Sequence, residues 1–322
     1  MPSVTLHLLL ARRTLAHWDE GHRPAPFPLT HPRLREAFLQ GAVGPDLGYF
    51  PGGVHVLSDL AHCVRSGDLA RTLLDEARSP LERAFAWGWA SHALADRLVH
   101  PLVGRGVGEL RHGDRERFVA GATDTPAHVR VETGLDAWIS GRFPDLRSVR
   151  FAPSLEGEPL RHLAHAYRET YGWAVDRSDL VASYHAMVRG AARALVVIGL
   201  LGRACRANRH RGELLWALAG VSERLRCPGT LSLAFVSSTR PPRWLRVAVL
   251  EVVRGFPASM EAIREAPDEG LPNVNLDTAL PDEGHAPHAG RERALAFLRS
   301  ESNLRDRVRP NGVREVDAVS HV

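Results

Sequence analysis

The sequence predicts an all-α protein. Apolar residues recur at helical spacing in one segment after another, and Ser79-Pro80 and Pro126 mark helix starts, where a proline's missing N–H costs nothing. Stretches rich in Pro and Gly, such as residues 20–32 and 41–53, break these segments apart. The expected architecture is a multi-helix domain over residues 1–203, a helical extension over 204–265 and a mostly irregular tail over 266–322.

Ser3 caps a first helix over about 4–18, striped by Leu6, Leu9, Leu10 and Leu15. After the proline-rich loop, a helix runs from Thr30 to about Gln40. The next segment, GAVGPDLGYFPGG, is too rich in Gly and Pro for regular structure, yet carries Val43, Leu47, Tyr49 and Phe50. Asp46 sits at its centre, either as a turn residue after Pro45 or as a ligand ahead of the histidines that follow. His55 opens another helix, where a side chain next to the loop can turn into a cleft. His62, two turns on, reads as a surface or core histidine.

A short helix near 68–77 precedes the central one, about 80–100, which Pro101 is expected to end. Leu81, Phe85, Trp87, Trp89, Ala90, Leu94 and Leu98 make it apolar on most sides, so it is buried. Residues 103–125 read as a polar, Gly-rich rim, and Pro126 opens a helix to about 141. Helices near 157–171 and 177–203 follow, then helical patches near 211–225 and 242–263, a long loop from Ala266, and a short helix near 290–300.

Composition narrows the function. Apolar residues make up 44% and charged residues 24%, as in an ordinary globular protein, and the net charge of +4 is too slight to demand a nucleic-acid partner. Lysine is absent, so all 41 basic residues are Arg, the residue suited to bidentate phosphate or carboxylate contacts. Histidine stands out at 17 residues, and His is the usual zinc ligand. Cys63, Cys205 and Cys227 are odd in number and far apart, which argues against a disulfide framework. The first apolar run precedes its arginines, the reverse of a secretory signal. The most apolar run, Ala194 to Gly202, is about half the length of a bilayer span. A cytoplasmic protein without a transmembrane segment is expected.

The chemistry gathers on two helices. His92, Asp96 and His100 lie at successive i, i+4 steps, so they share one stripe of an otherwise apolar helix. An ionised Asp96 there is costly unless paired or metal-bound. His128, Glu132 and Asp136 repeat the spacing on the next helix, with Asp136 as a third ligand or as an orienter of a ligating His. Two such helices facing each other would hold imidazoles and carboxylates around divalent metal. His285, His288 and Asp282 read as a solvated loop cluster.

The order Asp46, His55, His92-x3-Asp96, His100-Pro101, His128-x3-Glu132 resembles the zinc-dependent phospholipase C family, an all-α superfamily that also contains single-strand nucleases. The resemblance covers roughly residues 1–140 and, weakly, the helices to about 200. It implies one zinc on Asp46, His55, His92 and Asp96, and a second on His100, His128 and Glu132. It further implies a third zinc at His7, bridged by Asp96, though the Trp that completes this site in secreted members has no counterpart before His7. Metal-bound hydroxide would attack a phosphodiester, with Asp46 orienting or deprotonating the water. Arg97, Arg105 and Arg130, surface charges by default, are available for phosphate. The implied substrate is a phospholipid or another phosphodiester. A single-strand nuclease on the same scaffold, or a non-catalytic metal-stabilised interaction domain, are the alternatives.

Overall fold

In the computed structural model, residues 4–21, 24–207, 241–281 and 288–308 are described. They form α1 (Val4–Glu20), α2 (Pro32–Gly41), α3 (His55–Cys63), α4 (Ser66–Asp75), α5 (Pro80–His112), α6 (Thr125–Arg142), α7 (Glu158–Tyr171) and α8 (Arg177–Ala207). Three further helices follow: α9 (Arg243–Glu265), the single turn α10 (Pro267–Gly270) and α11 (Ala289–Val308). Two short 3-10 turns lie at Gly44–Asp46 and Pro144–Ser148. The only sheet among the described residues pairs β1 (Val274–Asn275) with β2 (Leu280–Pro281), antiparallel, Val274 opposite Pro281. The protein is all-α, as its sequence predicts.

Helix α5 is the axis. Ser79 and Glu82 close a capping box at its start, and Leu81, Phe85, Trp89, Leu94 and Val99 are buried along it. It does not stop at Pro101 as expected but continues to His112, 33 residues in all. An internal proline costs about 3 kcal/mol through its lost hydrogen bond and ring clash. Burial of Val103 and Val107 offsets that cost. The glycines that suggested a loop serve close packing. A Cβ on Gly104 would lie 2.2 Å from the Phe118 ring, and one on Gly108 would lie 1.7 Å from the Arg117 carbonyl. The chain after α5 therefore folds back across the helix, and Val119 N–H donates to the Gly104 carbonyl at 3.1 Å.

Helix α2 crosses α5 backbone to backbone. A Cβ on Gly88 would meet the Phe38 carbonyl at 2.1 Å, and one on Gly41 would meet the Phe85 carbonyl at 2.2 Å. This contact sets the loop after α2, with Asp46, against the middle of α5. Helix α9 lays Leu245, Val249, Val253, Phe256, Met260 and Ile263, spaced three or four apart, into the same core. Trp18 donates its indole N–H to Glu261 at 2.6 Å, tying α1 to α9.

Residues 266–281 are not simply loop, since α10 and the β1–β2 hairpin lie there, and α11 is longer than the short helix expected. The helical patch near 211–225, Asp282, His285 and the tail after 308 lie outside the described residues. The stretch Arg177–Arg203 of α8 is long and apolar enough to cross a membrane by length and composition, and 61% of its most apolar window is buried against the rest of the protein. A core helix passes the same test.

Candidate metal centre

Each ligand candidate is fixed by its own element. Asp46 closes the 3-10 turn, and Ser58 of α3 pins that turn: its hydroxyl donates to the Pro45 carbonyl at 2.6 Å and accepts from Gly48 N–H at 2.8 Å. His92, Asp96 and His100 descend one stripe of α5, and His128 and Glu132 face them from α6. His7 enters from α1, whose first-turn amides at Thr5 and Leu6 donate to the Asp136 carboxylate at 3.2 and 3.1 Å. Asp136 thus helps to position α1, with its His7. An anion at a helix start is favoured by the unsatisfied amides and the helix dipole.

Asp96 is the hub. Its Oδ1 lies 3.2 Å from His7 Nε2 and 3.6 Å from His100 Nε2, and its Oδ2 lies 3.1 Å from His92 Nε2 and 3.4 Å from His62 Nε2. Three groups each have ligand atoms within 4.8 Å of one another: His7, His92 and Asp96; Asp46, His62 and His92, which shares His92 with the first; and His100, His128 and Glu132. Glu132 Oε1 is 3.3 Å from the Nε2 of both His100 and His128. Asp46, His92, Asp96 and Glu132 are each at most 4% exposed.

The imidazoles are aimed by backbone carbonyls. His62 Nδ1 lies 2.8 Å from the Ser58 carbonyl, His92 Nδ1 3.0 Å from that of Ala42, and His100 Nδ1 2.6 Å from that of Leu276. A carbonyl only accepts, so each Nδ1 carries a proton and each Nε2 faces the cluster, presenting a lone pair whenever the ring is neutral. His62 and His92 then face each other Nε2 to Nε2 at 3.2 Å. Two lone pairs at that distance repel unless a proton or a cation lies between them.

Charge settles the same way. Burial opposes a proton on His62, yet Asp46 and Asp96 outweigh it and lift its pKa to about 10. Burial likewise opposes His100, but Asp96 and Glu132 raise it well above the ordinary value. Burial, then the neighbouring His7, pushes His92 down. Asp96 and Glu132 resist the upward push of burial and fall below the usual carboxylate range, drawn down by His100 and His92 and by His128 and His100 respectively. Without metal, protons on the rings supply the positive charge that the carboxylates require. The buried Asp46 Oδ2 and Asp96 Oδ2 still lack a hydrogen-bond partner. Mixed imidazole and carboxylate donors with carboxylate oxygens left over fit zinc.

Three residues differ from expectation. His55 does not join the group: its side chain is 65% exposed and stands 3.9 Å from Asp59, because as the first residue of α3 it projects from the helix end. His62 takes that place, on the buried face of α3 beside Leu57, Ser58, Leu60 and Ala61. Of the cluster read as solvated loop, His288 instead packs inward, donating from Nε2 to Asp277 Oδ2 at 2.8 Å. A cavity of about 290 Å³ opens on the ligands, and Tyr49, Asp59, Cys63, Asp277, His288 and Arg293 help to line it. Arg97, Arg105 and Arg130 do not line it. Among the described residues, the arginine on its wall is Arg293, whose Nε and Nη2 donate to Asp59 at 2.9 and 3.0 Å. Nothing at helical spacing in the sequence ties Asp277 or Arg293 to the histidines.

The fold and cluster define a helical protein with buried imidazoles and carboxylates grouped as metal ligands could be, opening on a cavity. The profile of the family described as zinc dependent phospholipase C matches residues 6–187, more than half of the chain. The chain belongs to this family. It is similar to two proteins of Archaeoglobus fulgidus, both described as uncharacterized. It is 25% identical to one over 165 residues, 48% of this chain and 50% of the relative. It is 27% identical to the other over 157 residues, 46% of this chain and 43% of the relative. The chain thus spans about half the length of the curated relatives it matches. No solved structure matches it.

Proposed function

We propose that this protein hydrolyses phosphodiesters with zinc, and that phospholipids are its leading substrate class. The observation that carries the reading is the locked set of imidazoles, Nδ1 on carbonyls and Nε2 on a shared carboxylate hub, at the floor of an accessible cavity. Asp46, His62, His92 and Asp96 would hold one zinc, and His100, His128 and Glu132 a second. His7, beside Asp96 and stacked on His92 at 4.0 Å, would serve a third. Zinc bound there lowers the pKa of water and polarises a phosphoryl oxygen.

The chain's own groups do the rest. Asp46 lines the cavity and keeps Oδ2 available to take a proton from the attacking water. Arg293, held by Asp59, presents a fixed cation to a phosphate oxygen. The Tyr49 hydroxyl, its pKa driven up by burial and then by Cys63 and Asp59, keeps its proton and donates to Asp59 at 3.1 Å. A cavity of about 290 Å³ admits a head group and leaves the acyl chains outside. A nuclease would want aromatic platforms beside the metals. Trp87 and Trp89 are instead buried in the core and Trp138 packs against it, so none of the three serves as a platform, and the Tyr49 ring on the cavity wall bonds to Asp59 through its hydroxyl, which favours the lipid. The widely separated cysteines support a reducing, cytoplasmic setting.

Zinc-loaded protein is expected to cleave a phosphocholine lipid faster than single-stranded DNA, and His92→Ala to abolish turnover. The reverse preference would make it a nuclease. Zinc binding without hydrolysis of either would make it a metal-stabilised interaction domain.

A further inference from the structure

The family match ends at residue 187, but the metal centre does not. The β1–β2 turn reaches the cluster from far along the chain. Leu276 N–H donates to the His62 carbonyl at 2.8 Å, and the Leu276 carbonyl accepts from His100 Nδ1 at 2.6 Å, across 176 residues of sequence. One residue on, Asp277 Oδ1 stands 3.9 Å from His128 Nδ1, a buried atom with no hydrogen-bond partner. Asp277 is itself held in place: it accepts from Gly121 N–H and Ala122 N–H, both at 3.1 Å, and from His288 at 2.8 Å. Both imidazoles of the His100, His128 and Glu132 group therefore face an oxygen of this turn with the nitrogen that points away from the group.

We propose that Leu276 and Asp277 are positioning residues of the metal centre, fixing the tautomer and aim of His100 and His128, so that one zinc depends on chain outside the family-matched region. The inference rests on the zinc reading above. The physical basis is ligand orientation: an acceptor on the outer nitrogen keeps the proton there and the lone pair on Nε2, and it makes the ring a better donor to a cation. The Leu276 carbonyl does this for His100 through a hydrogen bond, and the Asp277 carboxylate would do it for His128 through its charge, 3.9 Å from Nδ1. The competing role for Asp277 is a clamp that only ties residues 121–122 to the hairpin.

Zinc stoichiometry by elemental analysis and zinc affinity by chelator competition separate the two, together with the melting temperature of the metal-free chain. Asp277→Asn is expected to weaken one zinc equivalent by about 10- to 100-fold and to leave the rest at parental affinity. Asp277→Glu, which keeps the charge, is expected to recover most of that loss. Arg111→Ala loosens the same inter-helix segment at its ion pair with Asp124 and should leave zinc unchanged. Parental zinc affinity in Asp277→Asn overturns the proposal, as does equal weakening in Asp277→Asn and Arg111→Ala that follows a shared fall in melting temperature. A parent chain that binds no zinc overturns the zinc reading itself, which is a different result.

Discussion

Replacing His62 and His55 separately tests the site most directly, because sequence order favours one and geometry the other. His62→Ala removes an Nε2 that lies 3.2 to 3.4 Å from His92, Asp46 and Asp96 on a side chain 6% exposed. Binding of zinc by four protein ligands is worth about 10–16 kcal/mol, or roughly 2.5–4 kcal/mol for each ligand. At about 1.4 kcal/mol per tenfold, losing one of four ligands weakens zinc by about two to three orders of magnitude. His55→Ala removes a ring 65% exposed at the cavity edge, 3.9 Å from Asp59 and with its centroid 4.9 Å from that of Tyr49, but in none of the three ligand groups. Exposed changes of this kind stay within about 0.5 kcal/mol, less than threefold in affinity. Chelator competition on the two purified variants, with zinc counted by elemental analysis, reads the difference. Zinc lost from His55→Ala and retained by His62→Ala would refute the assignment of His62 in place of His55.

Further expectations follow from charge and packing. Near pH 7.5 the metal-free chain carries protons on His62, whose pKa is about 10, and on His100, raised well above its ordinary value. Zinc must displace them, so calorimetry in buffers of different ionisation enthalpy should show about two protons released. Affinity should fall as pH drops. Since the folded pKa of His62 exceeds the unfolded 6.5, its stabilisation of the metal-free chain is complete below about pH 6.5 and is lost as pH rises through about 10. Gly88→Ala would drive a methyl to 2.1 Å from the Phe38 carbonyl. It should cost about 1–3 kcal/mol in urea unfolding and shift the Ala42 carbonyl that aims His92. Parental stability in that variant would mean α2 and α5 are not in backbone contact.

Much of the centre is readable from spacing alone. Polar, titratable side chains at i, i+4 steps in an apolar helix have to share a stripe, and an apolar loop full of glycine has to pack against something. Those two facts bring Asp46, His92, Asp96, His100, His128 and Glu132 into one neighbourhood. His62 and His55 share a face of α3 by spacing, so periodicity cannot choose between them. The choice depends on which end of the helix meets the core, a tertiary fact. Pro101 and the glycines after it mislead because their local preference is overridden by side chains that fill the space they leave, Phe118 above all. Asp277 and Arg293 are invisible for another reason: a turn and a helix near the end of the chain dock on α3 and α5, and no local pattern encodes that meeting.

Four rings lean on the two oxygens of Asp96, and His92 belongs to two of the three groups at once. Contributions drawn from a common partner are not separable, so removing any one ring changes what the others are worth. Paired ligand substitutions will therefore cost less than the two single losses together, with the shortfall greatest for pairs that both touch Asp96.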